Sequence, residues 1–366
     1  MDKERQQELL NRWYETIRGD DSGESVSWKK RIDSRLDDFD DPEQRTYYHL
    51  LALRFELLHK DIERAQHHLA AVEPFQETAD ANLNFLYPFF KGIYFYTRQR
   101  YKESVDCFLQ AEPYIDAVSD EEAAEYYYKL ASSYHRTYSI TQSMKSGQKA
   151  LERFKNLGRH ARIADCENLL GINNKDIMQY KEAERHYHDA LVHAEKAKNK
   201  ELKMLIMHNF GSFYSDQNDA ATAIIFLKKA KELMEPWENA LKVVNLYLLA
   251  KNHFKTNQRD KAQWYLQAGL NFSQELGFEA YYFHCSLLKA KYLQRDAFEE
   301  VYREGISYFN DKERWDYVVE YGEELGSYYG DIGFYEKAYK YYHLTISARK
   351  NIEKERGIAN GETSSL

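Results

Sequence analysis

Small residues recur along this chain at a period close to forty, and nothing else in the sequence restricts the fold as tightly. Gly92, Ala131, Gly171, Gly211, Ala250 and Ala290 stand 39, 40, 40, 39 and 40 residues apart, and Gly326 follows 36 residues later. A period in this range marks stacked helical or mixed units, each of which buries its apolar face only against its neighbours. The small residue lets one helix approach the next closely. An aromatic often follows three residues on, as at Phe95, Tyr134, Tyr214 and Tyr329. Twelve residues after the small position, where a second helix should cross the first, come Ser104, Ser143, Ala183, Ala223, Ala262 and Ala338; seven further on are Ala111, Ala150, Ala190 and Ala230.

The remaining patterns agree with helices throughout. Only five prolines and sixteen glycines interrupt 366 residues, and apolar positions recur at three and four rather than two. The 31 tyrosines suit half-buried packing positions, having an apolar body and a polar tip. A formal net charge of −8, with both signs interspersed, argues against nucleic acid as a partner. Cys107, Cys166 and Cys285 are odd in number and without metal-ligand spacing, which implies no disulfide framework. No apolar run approaches a membrane span and the N-terminus is charged, so the expectation is a cytoplasmic protein with no membrane partner.

The two-helix spacing resembles the tetratricopeptide repeat, most clearly in LLGINNKDIMQYKEAERHYHDALVHA from Leu169 to Ala194. Units at 124–155 and 280–310 are weaker: Gly147 stands where an aromatic or Leu is usual, and Ala290 is not followed by a clean second helix. The expected fold is all-α, an N-terminal three-helix bundle followed by a tetratricopeptide-repeat right-handed superhelix. Its divisions are a bundle over 1–62, a linker helix over 63–84, about seven repeats over 85–358 and a tail over 359–366.

The bundle reading rests on three amphipathic stretches. The first carries Leu9, Trp13 and Ile17 and ends at Gly19-Asp20-Asp21-Ser22-Gly23; the second runs from about Ser25 to Phe39. The third opens with Asp41 as N-cap and Pro42 at the first helical position, and reaches about His59. A DNA-reading head is disfavoured, because the first sixty residues hold 11 Lys/Arg against 14 Asp/Glu.

With its bundle, its array, and the stretches PEQRTYYHLLALRFELL from Pro42 and FLYPFFKGIYFYTRQRYKESVDCFLQAE from Phe85, the whole chain resembles the Rap family of response-regulator aspartyl-phosphate phosphatases of spore-forming bacilli. The resemblance implies a bundle that docks on a receiver domain and brings a glutamine, here Gln44, to the phospho-aspartate. Hydrolysing an acyl phosphate needs a water held in line rather than a protein nucleophile, and a neutral amide can donate and accept at once. The protein would need no cofactor of its own, since the receiver supplies the divalent metal. Glu43 precedes Gln44, while Pro42 departs from the more acidic run usual there. Tyr47, Leu51 and Phe55 would form an apolar docking patch, although a stripe at that spacing also fits a core. Asp41-x-x-Gln44 equally reads as a capping-box variant, in which the glutamine merely closes a helix end.

The same resemblance implies control by a short imported Phr-type peptide held by the repeats. Asn209 matches the amide that would pair with peptide backbone and Asp176 the acid for its positive charge, with Tyr214 and Asn245 on the same groove. Two further readings stay open: a Rap-type binder that sequesters a response regulator's DNA-binding domain without chemistry, and a generic repeat adaptor. No phosphate-binding loop, HExxH or nucleophile motif is present, and His67-His68 and His186-x-His188 read as surface histidines.

Overall fold

The computed structural model describes residues 3–19, 22–73, 79–234 and 240–355, and among them the chain forms eighteen α-helices, three 3₁₀ turns and no strand. The all-α expectation holds. The tail at 359–366 and the turn residues Asp20 and Asp21 lie outside the described residues. The helices divide into two compact units, Met1–Arg162 and Ile163–Leu366.

In the first unit, α1 (Lys3–Arg18) and α2 (Ser22–Asp33) precede three antiparallel pairs: α3 (Pro42–Leu58) with α4 (Ile62–Val72), α5 (Ala81–Thr97) with α6 (Tyr101–Ala111), and α7 (Asp120–Arg136) with α8 (Ile140–Asn156). The second unit begins within α9 (His160–Asp176), which pairs with α10 (Tyr180–Lys196). There follow α11 (Lys200–Asp216) with α12 (Ala220–Met234), α13 (Ala240–Lys255) with α14 (Arg259–Glu275), α15 (Glu279–Tyr292) with α16 (Phe298–Asp311), and α17 (Trp315–Asp331) with α18 (Tyr335–Glu355).

Three boundaries differ from the sequence reading. The stretch read as one linker helix over 63–84 contains α4, which closes a hairpin with α3, and then the start of α5, capped by Asp80. The second helix stops at Asp33, and a separate 3₁₀ turn covers Leu36–Asp38. The unit at 280–310 does have a second helix, α16, entered through the 3₁₀ turn Arg295–Ala297. That irregular entry hides it from a strict spacing rule.

The recurring small residues do what their period implies. A methyl group on Gly92 would sit 2.5 Å from the Phe108 ring, one on Gly171 3.0 Å from Tyr187, and one on Gly211 2.7 Å from Leu227. Each first helix therefore lays its smallest residue against a large side chain sixteen positions on. Where Ser replaces Ala at the crossing, it is put to use: Ser104 donates to the Gly92 carbonyl at 2.9 Å and Ser143 to the Ala131 carbonyl at 2.7 Å. A buried hydroxyl is tolerated there because it is satisfied.

Six of the turns that close a pair share their geometry and not their sequence. Lys60, Gln99, Tyr138, Met178, Asn218 and Asn257 all have φ near +60°, and each is followed by an amide bonded back five residues, as from Gln179 to the Asn174 carbonyl at 2.8 Å. This is the helix-terminating motif that glycine ordinarily fills. A side chain in that conformation costs about 1 kcal/mol. Met178 is 74% exposed, so its side chain contributes little packing. Met178→Gly is expected to raise stability by up to ~1 kcal/mol, measured by urea unfolding.

Candidate functional site

Gln44 stands in the first turn of α3, where the sequence places the helix start. Asp41 caps that turn, accepting from the backbone amides of Glu43 at 2.9 Å and Gln44 at 3.2 Å. Lys3 forms an ion pair with Asp41, and together with the capping amides it holds this carboxyl below the usual carboxylate range. The Gln44 side chain does not return to the cap. It is only 2% exposed, and its Nε2 donates instead to the Lys3 carbonyl, 2.8 Å away in the first turn of α1. Its Oε1 is buried without a partner. The capping-box geometry is thus half realised, and the amide keeps one acceptor and one donor in reserve. A cleft of 50 Å³, bordered by Gln7, Glu43, Tyr47 and Asp80, opens beside it.

Tyr47, Leu51 and Phe55 correct the docking-patch expectation, since all three are buried in this conformation. Tyr47 packs edge-on to Tyr14, and Phe55 lies 6.0 Å from Trp13 between ring centroids, so α1 covers the face they would offer. Glu43 is exposed. The covering helix is tied down by the Gln44–Lys3 bond, the Lys3–Asp41 pair and Gln6, which donates to the Asp38 carbonyl.

In the second unit, polar side chains link successive first helices. Asn209 Nδ2 donates to Asn168 Oδ1 at 3.1 Å, joining α11 to α9. Asn245 Nδ2 lies 3.2 Å from His208 Nδ1, and Asn252 Nδ2 donates to Ser215 Oγ at 2.8 Å, both joining α13 to α11. The buried Oδ1 atoms of Asn245 and Asn252 have no partner. Unused amide capacity on first helices is what an extended backbone would engage. Further along, a cleft of 240 Å³ is lined by Tyr247, Lys251, Lys255, His284, Lys291 and Glu320 among others. Here Lys251 pairs with Glu320 at 3.5 Å and Lys291 with Glu324 at 2.7 Å, while burial and the two neighbouring ammoniums push Lys255 down.

The sequence-derived residues fall out unevenly on this ladder. Asn209 and Asn245 belong to it, and Asp176 lies exposed at the end of α9. Tyr214 does not, which corrects its assignment: its hydroxyl donates to Glu184 on α10 at 2.6 Å and its ring stacks on Phe226 of α12, so it packs second helices. Asn168, His208 and Asn252 escape the sequence reading, although their offsets of 41, 37 and 37 residues to their partners straddle the repeat period. Two of the histidines read as surface residues are also buried. His186 bonds Glu167 at 2.6 Å, and His68 meets His49 at 3.0 Å, both through ring Nδ1. No group of three or more side chains suited to holding a metal occurs among the described residues, nor any helix long and apolar enough to cross a membrane.

Comparison with known proteins bears on both units. Residues 1–60 match the family described as response regulator aspartate phosphatase H, N terminal. The chain is 26% identical over 364 residues to the transcriptional activator NprA of Geobacillus stearothermophilus, covering 96% of this chain and 90% of that protein. It is 25% identical over 361 residues to the regulatory protein RapF of Bacillus subtilis, covering 94% of each. A crystal structure of a Rap protein complexed with competence and sporulation factor superposes with a TM-score of 0.80 at 20% identity, over 97% of this chain and all of that one. With the glutamine-bearing N-terminal helices, the paired-helix array and similarity over nearly the whole length in one chain, this protein is similar throughout to proteins of the Rap family.

Proposed function

We propose that the protein is a peptide-controlled phosphatase of response regulators, hydrolysing the aspartyl phosphate of a receiver domain. The observation that carries this reading is Gln44: a glutamine amide with an unused acceptor, at the start of α3, inside the segment that matches the aspartate-phosphatase family. An acyl phosphate is already activated, so the enzyme's contribution is to orient water behind phosphorus, and any metal in the reaction is the receiver's own. Because Gln44 is capped by the start of α1, its engagement with a partner requires that first turn to release the Lys3 carbonyl.

The repeat unit is the sensor in this reading. A Rap protein of the same fold has been crystallised with a signalling peptide, and the ladder through Asn168, Asn209 and Asn245 offers donors and acceptors for the backbone of such a peptide. A cognate short peptide is expected to bind wild type and to bind Asn209→Ala ~10–100-fold more weakly, measured by isothermal titration with circular dichroism as the control on folding. Equal affinities would remove Asn209 from the site.

A second reading has an observation of its own. With Gln44 closed off, the first unit could act by binding alone, and NprA, similar over nearly the whole chain, is a transcriptional activator. Titrating wild type with phosphorylated receiver domains and with the DNA-binding domains of response regulators separates the two. Binding only to the latter would favour sequestration without chemistry.

A further inference from the structure

A cleft of 490 Å³ opens in the first unit, within the size range of small-molecule sites. Ile17 of α1, Phe89 and Phe90 of α5 and Phe154 of α8 give it an apolar and largely aromatic wall. Its polar groups are few and poorly provided with partners. Arg54 of α3 lines the cleft half-buried, and its guanidinium makes no hydrogen bond and no ion pair among the described residues. Glu125, the acid that acts on it electrostatically, is already engaged: it pairs with Arg162 and lies 3.6 Å from Lys129. Tyr14, also in the lining, is 7% exposed, and its hydroxyl is buried with no partner. A buried phenol ordinarily finds one.

Glu122 of α7 completes the set. It is buried, and Arg18 beside it stands 3.8 Å away, beyond hydrogen-bond reach. Burial, reinforced by Glu125, raises Glu122 to about 8, so at neutral pH it keeps its proton and offers an O–H rather than a charge. Glu121, a further acid of the lining, is matched by Arg159 at 2.7 Å. What the cleft leaves unmet is therefore donor capacity, part of it cationic, facing an aromatic wall. We propose that the cleft binds a small aromatic acid, with its carboxylate or phosphate head on Arg54 and Tyr14 and its ring against Phe89, Phe90 and Phe154. A guanidinium presents a planar fork of N–H groups that matches either head, and partial burial strengthens the contact. The site is distinct from the cleft beside Gln44, and it holds whether or not the phosphatase reading does.

Isothermal titration of the full chain with phenyl phosphate and with phenylacetate tests this, with benzyl alcohol and inorganic phosphate as probes that lack the charged head or the ring. At least one of the two acids is expected to bind with a Kd below ~1 mM, and ~10-fold or more tighter than either control. The tighter of the two identifies the head. Arg54→Met, which keeps the apolar stem, should weaken that acid ~10-fold or more. Tyr14→Phe should weaken it ~3-fold or more without lowering thermal stability, because the hydroxyl it removes has no partner. Leu58→Glu places a negative charge in the lining at a position 46% exposed, and should also weaken the acid ~10-fold or more while circular dichroism shows the fold intact. Failure of both acids to bind at about 5 mM would overturn the inference. So would a control probe that binds as tightly, or an affinity untouched by Arg54→Met and Leu58→Glu.

Discussion

Gln44→Ala is expected to slow dephosphorylation of a receiver domain about a hundredfold or more, while affinity for that domain changes less than threefold. The side chain is buried and makes one hydrogen bond, to the Lys3 carbonyl. Its removal therefore costs only ~1 kcal/mol of stability, and most of the helix cap survives, because Asp41 accepts from the backbone of residue 44 and not from its side chain. A hundredfold loss corresponds to about 2.7 kcal/mol in the transition state, well beyond that structural cost. Gln44→Glu sharpens the distinction. It keeps the acceptor but adds a charge beside Asp41, in a place where the partner brings a phosphoryl group, so it should also lose activity. If the amide only tethered α1, both variants would shift the unfolding midpoint and leave phosphate lifetime in the complex unchanged.

Acid is expected to destabilise the protein steeply between pH 6.5 and about 4. Four histidines are buried and held neutral: His68, His208 and His253, all pushed down to about 4, and His284, to about 3, by burial in each case. Their surroundings reinforce the neutral form. His68 faces His49, Lys29 and His67, with Asp33 opposing; His253 faces Lys228 and Lys261; His284 sees Arg314 and Lys251 and meets the Tyr321 hydroxyl at 2.6 Å; His208 meets the amide of Asn245. The folded-state pKa is below the unfolded value in all four. The unfolded chain thus binds more protons below pH 6.5, so stability is fully present above that pH and drains away as pH falls toward 4. Each histidine contributes on the order of 3 kcal/mol, and together they rival the whole stability of an ordinary domain. Glu122, raised to about 8 by burial and by Glu125, works in the opposite sense between pH 4.5 and 8, and blunts any gain from raising the pH further. Urea midpoints across this range test the sign. His208→Gln, which keeps a group able to meet Asn245, should flatten the profile.

Much of this architecture is legible in the amino-acid sequence. The forty-residue period finds every first helix of the array from α5 on, because close approach demands a small residue and leaves no alternative at Gly92 or Gly211. The turns are not legible. A left-handed residue normally announces itself as glycine, and here Lys60, Gln99, Tyr138 and Met178 fill that role, so helix ends follow only from spacing. The bundle reads as separate from the repeats because α4 lacks the signature; the hairpin of α3 with α4 emerges only in the packing. Gln44 stands out by resemblance, yet nothing in its neighbourhood shows that its amide reaches across to Lys3, forty-one residues away in sequence. Tyr47, Leu51 and Phe55 share a helical face, and a shared face says that something covers it, not what. Tyr214 is misplaced for the same reason: being on a first helix does not say which side of it a ring occupies. The amide ladder is half visible, because Asn209 and Asn245 can be singled out while their partners Asn168 and His208 carry no motif.

Incubating a phosphorylated receiver domain with saturating wild-type protein, and following loss of its phosphate with time, tests the central reading most directly. A phosphate lifetime shortened by the protein, and restored by a peptide that binds the repeats, is the expected result. A lifetime unchanged while the two proteins are demonstrably bound would contradict it.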